Sequence, residues 1–199
     1  MLQKKNNLET IKEEVRLMYS NAQQFCMREW FFDYHVNVVA NYAKDVAARI
    51  SHDSELPMLA ALLHDIARTK AVFNDPQLMS ESLKICSEIM NRYDYNESQI
   101  DQVKLAIIPH ACKKKKPTTE IGKILATADA LAHLMSDIYL VLPICDSDEW
   151  GKTPSDWQKY KKWVLTKLER DINDKIFYDY YRKLAYPRYE MLKDVFAIV

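Results

Sequence analysis

Glycine is nearly absent from this chain: Gly122 and Gly151 are the two in 199 residues. Glycine is the usual residue wherever a backbone must turn with positive φ, so strand-rich folds and phosphate-cradling loops are rich in it. So little glycine predicts long helices joined by short connections, an all-α helical bundle. A Walker loop or a Rossmann fingerprint needs several closely spaced glycines, and both are excluded. Hydrophobic residues make up 48% of the chain, enough for a substantial core, and the length suits one domain over residues 1–199.

Lys+Arg and Asp+Glu are both 28, a formal net charge of zero. That balance argues against a protein that grips nucleic-acid backbone, so no stable nucleic-acid complex is expected. A small anionic substrate in a local pocket remains compatible with it. The cysteines, Cys26, Cys86, Cys112 and Cys145, form no CxxC pair. They are expected to be reduced thiols of a cytoplasmic protein. The opening MLQKKNNLETIKEEV has no apolar signal region, and no run approaches the roughly 18 apolar residues of a membrane span. Neither secretion nor membrane association is expected.

Apolar periodicity places the elements. Leu8, Ile11, Val15, Met18, Ala22 and Phe25 form one stripe on a helix starting near Asn7. A second helix covers about 31–50, with Val36, Val39, Ala43, Val46 and Ile50 on one side and His35 near its start. Leu56 to Ile66 is apolar nearly all round, which predicts a central buried helix with His64 and Asp65 inside it. Asn74-Asp75-Pro76 is expected to be a loop and N-cap before a helix ending near Tyr93. Asn96 should cap the next helix, striped by Ile100, Val103 and Ile107 and ending near Pro109-His110. Beyond the basic loop Lys113–Pro117, the spacing of Ile121, Leu125, Ala128, Ala132, Met135, Tyr139 and Leu142 predicts one long helix carrying Asp129. A turn over 148–154 then precedes two aromatic helices, about 154–171 and 173–197, the second kinked or broken at Pro187.

The chemistry lies in polar groups set in otherwise apolar segments. His64 and Asp65 occur in ALLHDIA, Asp129 occurs in ATADALA, and His35 borders a buried stripe. An unpaired buried carboxylate costs several kcal/mol, by order of magnitude, or protonates, so each needs a compensating partner. Separate helices bring these groups inward, and a divalent cation is the simplest partner they can share.

These residues, in this order, resemble the HD-domain superfamily of phosphohydrolases with its H…HD…D signature. The motif residues are His35 in FFDYHVNVVANYA, His64-Asp65 in LAALLHDIARTK and Asp129 in ILATADALAHL, separated by 29 and 65 residues. The resemblance covers about 30–135, half the chain. It implies a helical bundle of the HD-domain type, with His35, His64, Asp65 and Asp129 holding one divalent metal: Mn, Fe, Co, Ni, Zn or Mg. Water activated by the ion would attack a phosphate ester, a nucleotide or similar small metabolite. Asp65 or Asp129 would also orient the water. Binuclear members carry further histidines between the HD pair and the last Asp. The stretch Ala67–Pro109 has none, so one metal is expected. The alternative is a non-catalytic regulatory module that binds metal and nucleotide without turnover.

Several neighbours have two readings. His110 is either a substrate-phosphate donor or general acid, or a helix C-terminal imidazole complementing the macrodipole. Arg68, three residues after Asp65, is either a bidentate phosphate ligand or a solvated cation. In the run Lys113–Lys116, at least two lysines should be solvated, while one, taken as Lys113, steers the substrate. Arg28 either reaches the phosphate pocket or lies on the surface. His133, four residues after Asp129 and so on the same helix face, either supports the metal ligands or faces substrate, or is a satisfied histidine at the core edge, which is the expectation. The cluster Trp150, Trp157, Tyr160, Trp163, Phe177, Tyr178, Tyr180 and Tyr181 should be core, and any excess left exposed would suggest a homodimer face or a base-stacking lid.

Overall fold

Every regular element is helical, and no strand occurs among the described residues. The computed structural model describes residues 2–22, 28–70, 77–145 and 153–198. The elements are α1 (Leu2–Ser20), α2 (Glu29–Phe31), α3 (Asn37–Arg49), α4 (Glu55–Leu63), α5 (Leu78–Arg92), α6 (Glu97–Ile107), α7 (Glu120–Met135), α8 (Ile138–Cys145), α9 (Pro154–Arg170) and α10 (Asp179–Ile198). Two π-helical stretches interrupt this order: Phe32–Val36 joins α2 to α3, and Asp171–Lys175 extends α9. A 3-10 turn, Ile66–Thr69, follows α4. The predicted loop and cap at Asn74-Asp75-Pro76, together with Cys26 and Trp150, lies outside the described residues. No described helix is long and apolar enough to cross a membrane.

The bundle is organised around α7, whose side chains from Ile121 to Leu134 are buried except Lys123. It packs against α3, α4, α6, α10 and the Asp171–Lys175 stretch. Small residues permit this crowding. A Cβ on Gly122 would lie 2.8 Å from Pro117 Cβ and 3.5 Å from the Ala106 backbone, so the start of α7 sits close against α6 and the preceding loop. In α4, Pro57 to Leu63 are all buried, which makes it the second central element.

Several boundaries differ from the sequence expectation; the last helix, for example, starts at Asp179 rather than near 173. Helix α1 starts earlier, at Leu2. Helix α4 stops at Leu63, so His64 is its C-cap and Asp65 lies in the turn beyond, rather than inside the helix. The expected long helix 121–142 breaks at Ser136, which is extended (φ −111°, ψ 175°). Its hydroxyl donates to the Ala132 carbonyl and accepts from Ile138 N–H, ending α7 and starting α8. Conversely, Pro187 does not break α10, which runs on to Ile198. Ala185, Tyr189, Leu192 and Phe196 pack into the core on both sides of it. The C-terminal aromatics divide: Tyr160 and Tyr181 are buried, whereas Tyr180 points outward with Leu184, Met191 and Val195.

Asn96 caps α6 as expected. Its side chain accepts from Gln99 N–H at 3.0 Å, and Gln99 reaches back to Asn96 N–H at 3.1 Å. Asn96→Ala removes this capping box, and urea unfolding should show a loss of about 1 kcal/mol of stability.

Candidate metal centre

Three of the four donors sit where a helix ends or changes pitch, and the fourth sits within a helix. His35 lies in the π-helical stretch before α3, His64 and Asp65 at the end of α4, and Asp129 in mid-α7. π turns are often found at functional sites because the wider turn re-aims a side chain. Here it helps bring His35 Nε2 to 3.5 Å from Asp129 Oδ1. His64 Nε2 lies 3.9 Å from the same oxygen and 3.8 Å from Asp65 Oδ2. His35, His64 and Asp129 each offer one donor atom, all within 4.8 Å of one another; His64, Asp65 and His110 do the same. The two groups share His64.

These separations are too long for hydrogen bonds and suit a bridging ion. His64 Nε2 and Asp129 Oδ1 are buried and without a hydrogen-bond partner among the described residues, a costly state unless something else occupies the space between them. The other imidazole nitrogen is committed. His64 Nδ1 is 2.7 Å from the Ala61 carbonyl and His110 Nδ1 is 2.6 Å from the Ile107 carbonyl. A carbonyl can only accept, so each Nδ1 carries a proton and Nε2, turned towards the cluster, is the nitrogen available to an ion. Such fixing of the ligating nitrogen through a bond to the other one is usual for metal-binding imidazoles. The residues therefore fit a divalent cation.

The electrostatics agree. Burial and the neighbouring His133 hold His35 well below the ordinary histidine range, and burial pushes His110 down to about 4. Neutral rings are the metal-binding form. Burial works against ionisation of Asp129, but His133, Lys175, His64 and His35 outweigh it and keep the carboxylate charged. For Asp65 burial is likewise outweighed, chiefly by Arg68, whose Nε donates to Asp65 Oδ2 at 2.6 Å. Tyr19 secures the same turn by donating to the Asp65 carbonyl at 3.0 Å.

His64, Asp65 and Asp129 line a cavity of about 400 Å³, whereas His35 is not among its lining residues. Arg68, Lys113 and His110 line it, and Leu78, Met79 and Trp163 are among its apolar lining residues. Arg28 lies outside it: its side chain is exposed and its Nε donates to the Ala22 carbonyl at 3.2 Å. The geometry therefore corrects the expectation that Arg28 reaches the phosphate pocket.

Comparison with known sequences bears on the same segment. The HD domain family profile matches residues 32–134, just over half the chain and the stretch that holds all four proposed metal ligands. The chain belongs to the HD-domain family. HD domains form a superfamily of metal-dependent phosphohydrolases. A relative described as an uncharacterized protein of Clostridium beijerinckii (strain ATCC 51743 / NCIMB 8052) is 26% identical over 111 residues, 56% of this chain and 66% of that protein. No solved structure matches.

The HD-domain match stops at residue 134, yet the site continues. Lys175, 2% exposed, donates its Nζ to Asp129 Oδ2 and lies 3.3 Å from Asp171 Oδ1. Asp171 also accepts from Tyr139 OH at 2.7 Å and faces His133 Nδ1 at 3.1 Å. His133 Nε2 in turn is 3.5 Å from Asp129 Oδ1. Thr127 ties this stretch to α7, donating to the Lys175 carbonyl and accepting from Phe177 N–H at 3.1 Å. His133 is thus a buried histidine set between Asp129, Asp171 and Lys167, next to the site. Sequence reasoning missed Asp171 and Lys175. The available signal was their i, i+4 spacing at the end of an amphipathic helix, where two charges resemble a surface pair.

Lys175→Met should leave Asp129 and Asp171 facing each other without their cation. Denaturant unfolding of the chelator-treated protein should show a loss of about 3–5 kcal/mol, the usual consequence of removing one member of a buried ion pair.

Proposed function

We propose that this HD-domain protein hydrolyses a small phosphate ester, a nucleotide in preference to other metabolites, using one divalent ion held by His35, His64, Asp65 and Asp129. The supporting observation is the set of buried donor atoms, above all His64 Nε2 and Asp129 Oδ1, that face one another without hydrogen-bond partners in a cation-lined cavity. Bound there, such an ion supplies Lewis acidity, activating water near neutral pH and screening phosphoryl charge. A single ion is favoured because both donor groups depend on His64. Its one available nitrogen, Nε2, cannot serve two ions at once.

The chain's own residues divide the remaining work. Asp65 is the more exposed of the two carboxylates, at 19% of its side chain against 4% for Asp129. It therefore faces the cavity and is placed to orient the attacking water. Arg68 is held by Asp65 in a pose that leaves the guanidinium on the cavity wall, where its planar fork suits phosphoryl oxygens. His110 presents Nε2 as an acceptor, which suits taking a hydrogen from water or ligating the ion better than protonating a leaving group. The nucleotide preference is supported by Trp163, Met79 and Leu78, which give the cavity lining an aromatic and apolar part suited to a base.

Elemental analysis of the purified protein should find about one equivalent of transition metal per chain, as one N/O site implies. Asp129→Ala should cut hydrolysis across a panel of phosphate esters by more than about a hundredfold, because loss of an outer-shell partner alone costs about 10–100-fold. The circular-dichroism helical signal should persist. Metal absent even after reconstitution, or unchanged hydrolysis in the variant, would overturn the reading. Metal bound without any turnover would instead favour a regulatory HD module.

A further inference from the structure

The cavity that holds His64, Asp65 and Asp129 carries more positive charge than one phosphate ester needs. Five cations line the cavity, Arg68, Lys113, Lys167, Arg170 and Lys175, against the two carboxylates Asp65 and Asp129. Arg68 is matched by Asp65, and Lys175 by Asp129 and Asp171. For Lys113, Lys167 and Arg170, no carboxylate lies within ion-pair distance among the described residues. Lys167 Nζ has a neutral neighbour instead, His133 Nε2 at 3.4 Å. Arg170 Nε is buried without a hydrogen-bond partner among the described residues.

This excess is built rather than scattered. Trp163, Lys167 and Arg170 are spaced i, i+4, i+7 on α9 and so share one helix face, and all three line the cavity. Lys113 meets them from the loop after α6. Burial, with Arg170 and Arg68 close by, holds Lys113 below the ordinary lysine range, and burial brings Lys167 down to about 8. Like charges gathered in a partly desolvated cavity repel unless an anion joins them. All of α9 lies beyond residue 134, where the HD-domain match ends. The α9 part of this wall therefore lies outside the residues that the HD-domain match covers.

We propose that Lys113, Lys167 and Arg170 form a second anion subsite, and that the substrate carries two phosphoryl groups on one small molecule. One phosphoryl group sits against the metal ligands and Arg68, and the other sits against the α9 wall. The assignment of the first subsite rests on the hydrolase reading above; the second stands on the α9 geometry alone. A single phosphoryl group at the metal would leave Lys113, Lys167 and Arg170 without an ion-pairing carboxylate or phosphoryl group among the described residues, and a second group would supply that anion.

The test is calorimetric titration with orthophosphate, inorganic pyrophosphate (joined phosphoryl groups) and a hexose bisphosphate (separated ones). Each is titrated into the purified protein with its bound metal and no excess, and into chelator-treated protein. Elemental analysis after the first titration confirms that the metal stays bound. In both forms, pyrophosphate or the bisphosphate should bind at least about tenfold tighter than orthophosphate, the scale of one or two charge-assisted hydrogen bonds. Whichever binds tighter shows whether the phosphoryl groups are joined or separated. Lys167→Met with Arg170→Met should reduce that preference to less than about threefold, whereas Arg170→Lys should retain most of it. Thermal unfolding checks that the variants fold; if the double variant does not, Arg170→Gln alone provides the comparison and should weaken the preference. Equal affinity for all three anions, or a preference unchanged in the variants, would overturn the subsite. A preference that persists in a protein without metal or hydrolytic activity would keep the subsite and reject the hydrolase reading. Hydrolysis of monoesters with no such preference would do the reverse.

Discussion

The structure turns on one carboxylate buried in the middle of its most enclosed helix. Asp129 is 3% exposed, and a charge there is tolerable only if both its oxygens are compensated. They are treated differently. Oδ2 receives Lys175 Nζ, whereas Oδ1 faces His35, His64 and His133 across gaps of 3.5–3.9 Å. Full compensation within the protein would have closed those gaps. The arrangement instead neutralises half of the carboxylate and directs the other half to where imidazole lone pairs converge.

The surrounding architecture follows from that requirement. The alanines beside Asp129 let α3 and α4 approach closely enough to deliver His35 and His64, while Thr127 fixes the backbone that carries Lys175. Asp171 balances the second side of Lys175 and is itself held by Tyr139. The site therefore has two halves. The HD-domain segment supplies the donor atoms that could hold a metal ion, and the C-terminal helices supply the balancing charge and further cations of the cavity.

The first half was legible in the sequence because its physics is local. A histidine or aspartate inside an apolar, helix-periodic run has few explanations, and the H…HD…D order names one of them. Glycine scarcity likewise pointed to helices, and Asn96 marked its own cap. The second half was hidden because its meaning is not local. Asp171 and Lys175 look like an ordinary i, i+4 surface pair until α9 folds back over α7. Trp163, Lys167 and Arg170 share a helix face whose destination depends on that same packing. The break at Ser136 was masked by an apolar rhythm that continues through Tyr139 and Leu142. Pro187 misled in the opposite direction, since core packing on both sides of it holds α10 together.

The most direct measurement is an anomalous-difference map from crystals grown with manganese. The account predicts one strong peak per chain, in contact with His35 Nε2, His64 Nε2 and Asp129 Oδ1, with Lys175 still on Asp129 Oδ2. A peak bound elsewhere on the chain, or none between these side chains at saturating metal, would contradict it.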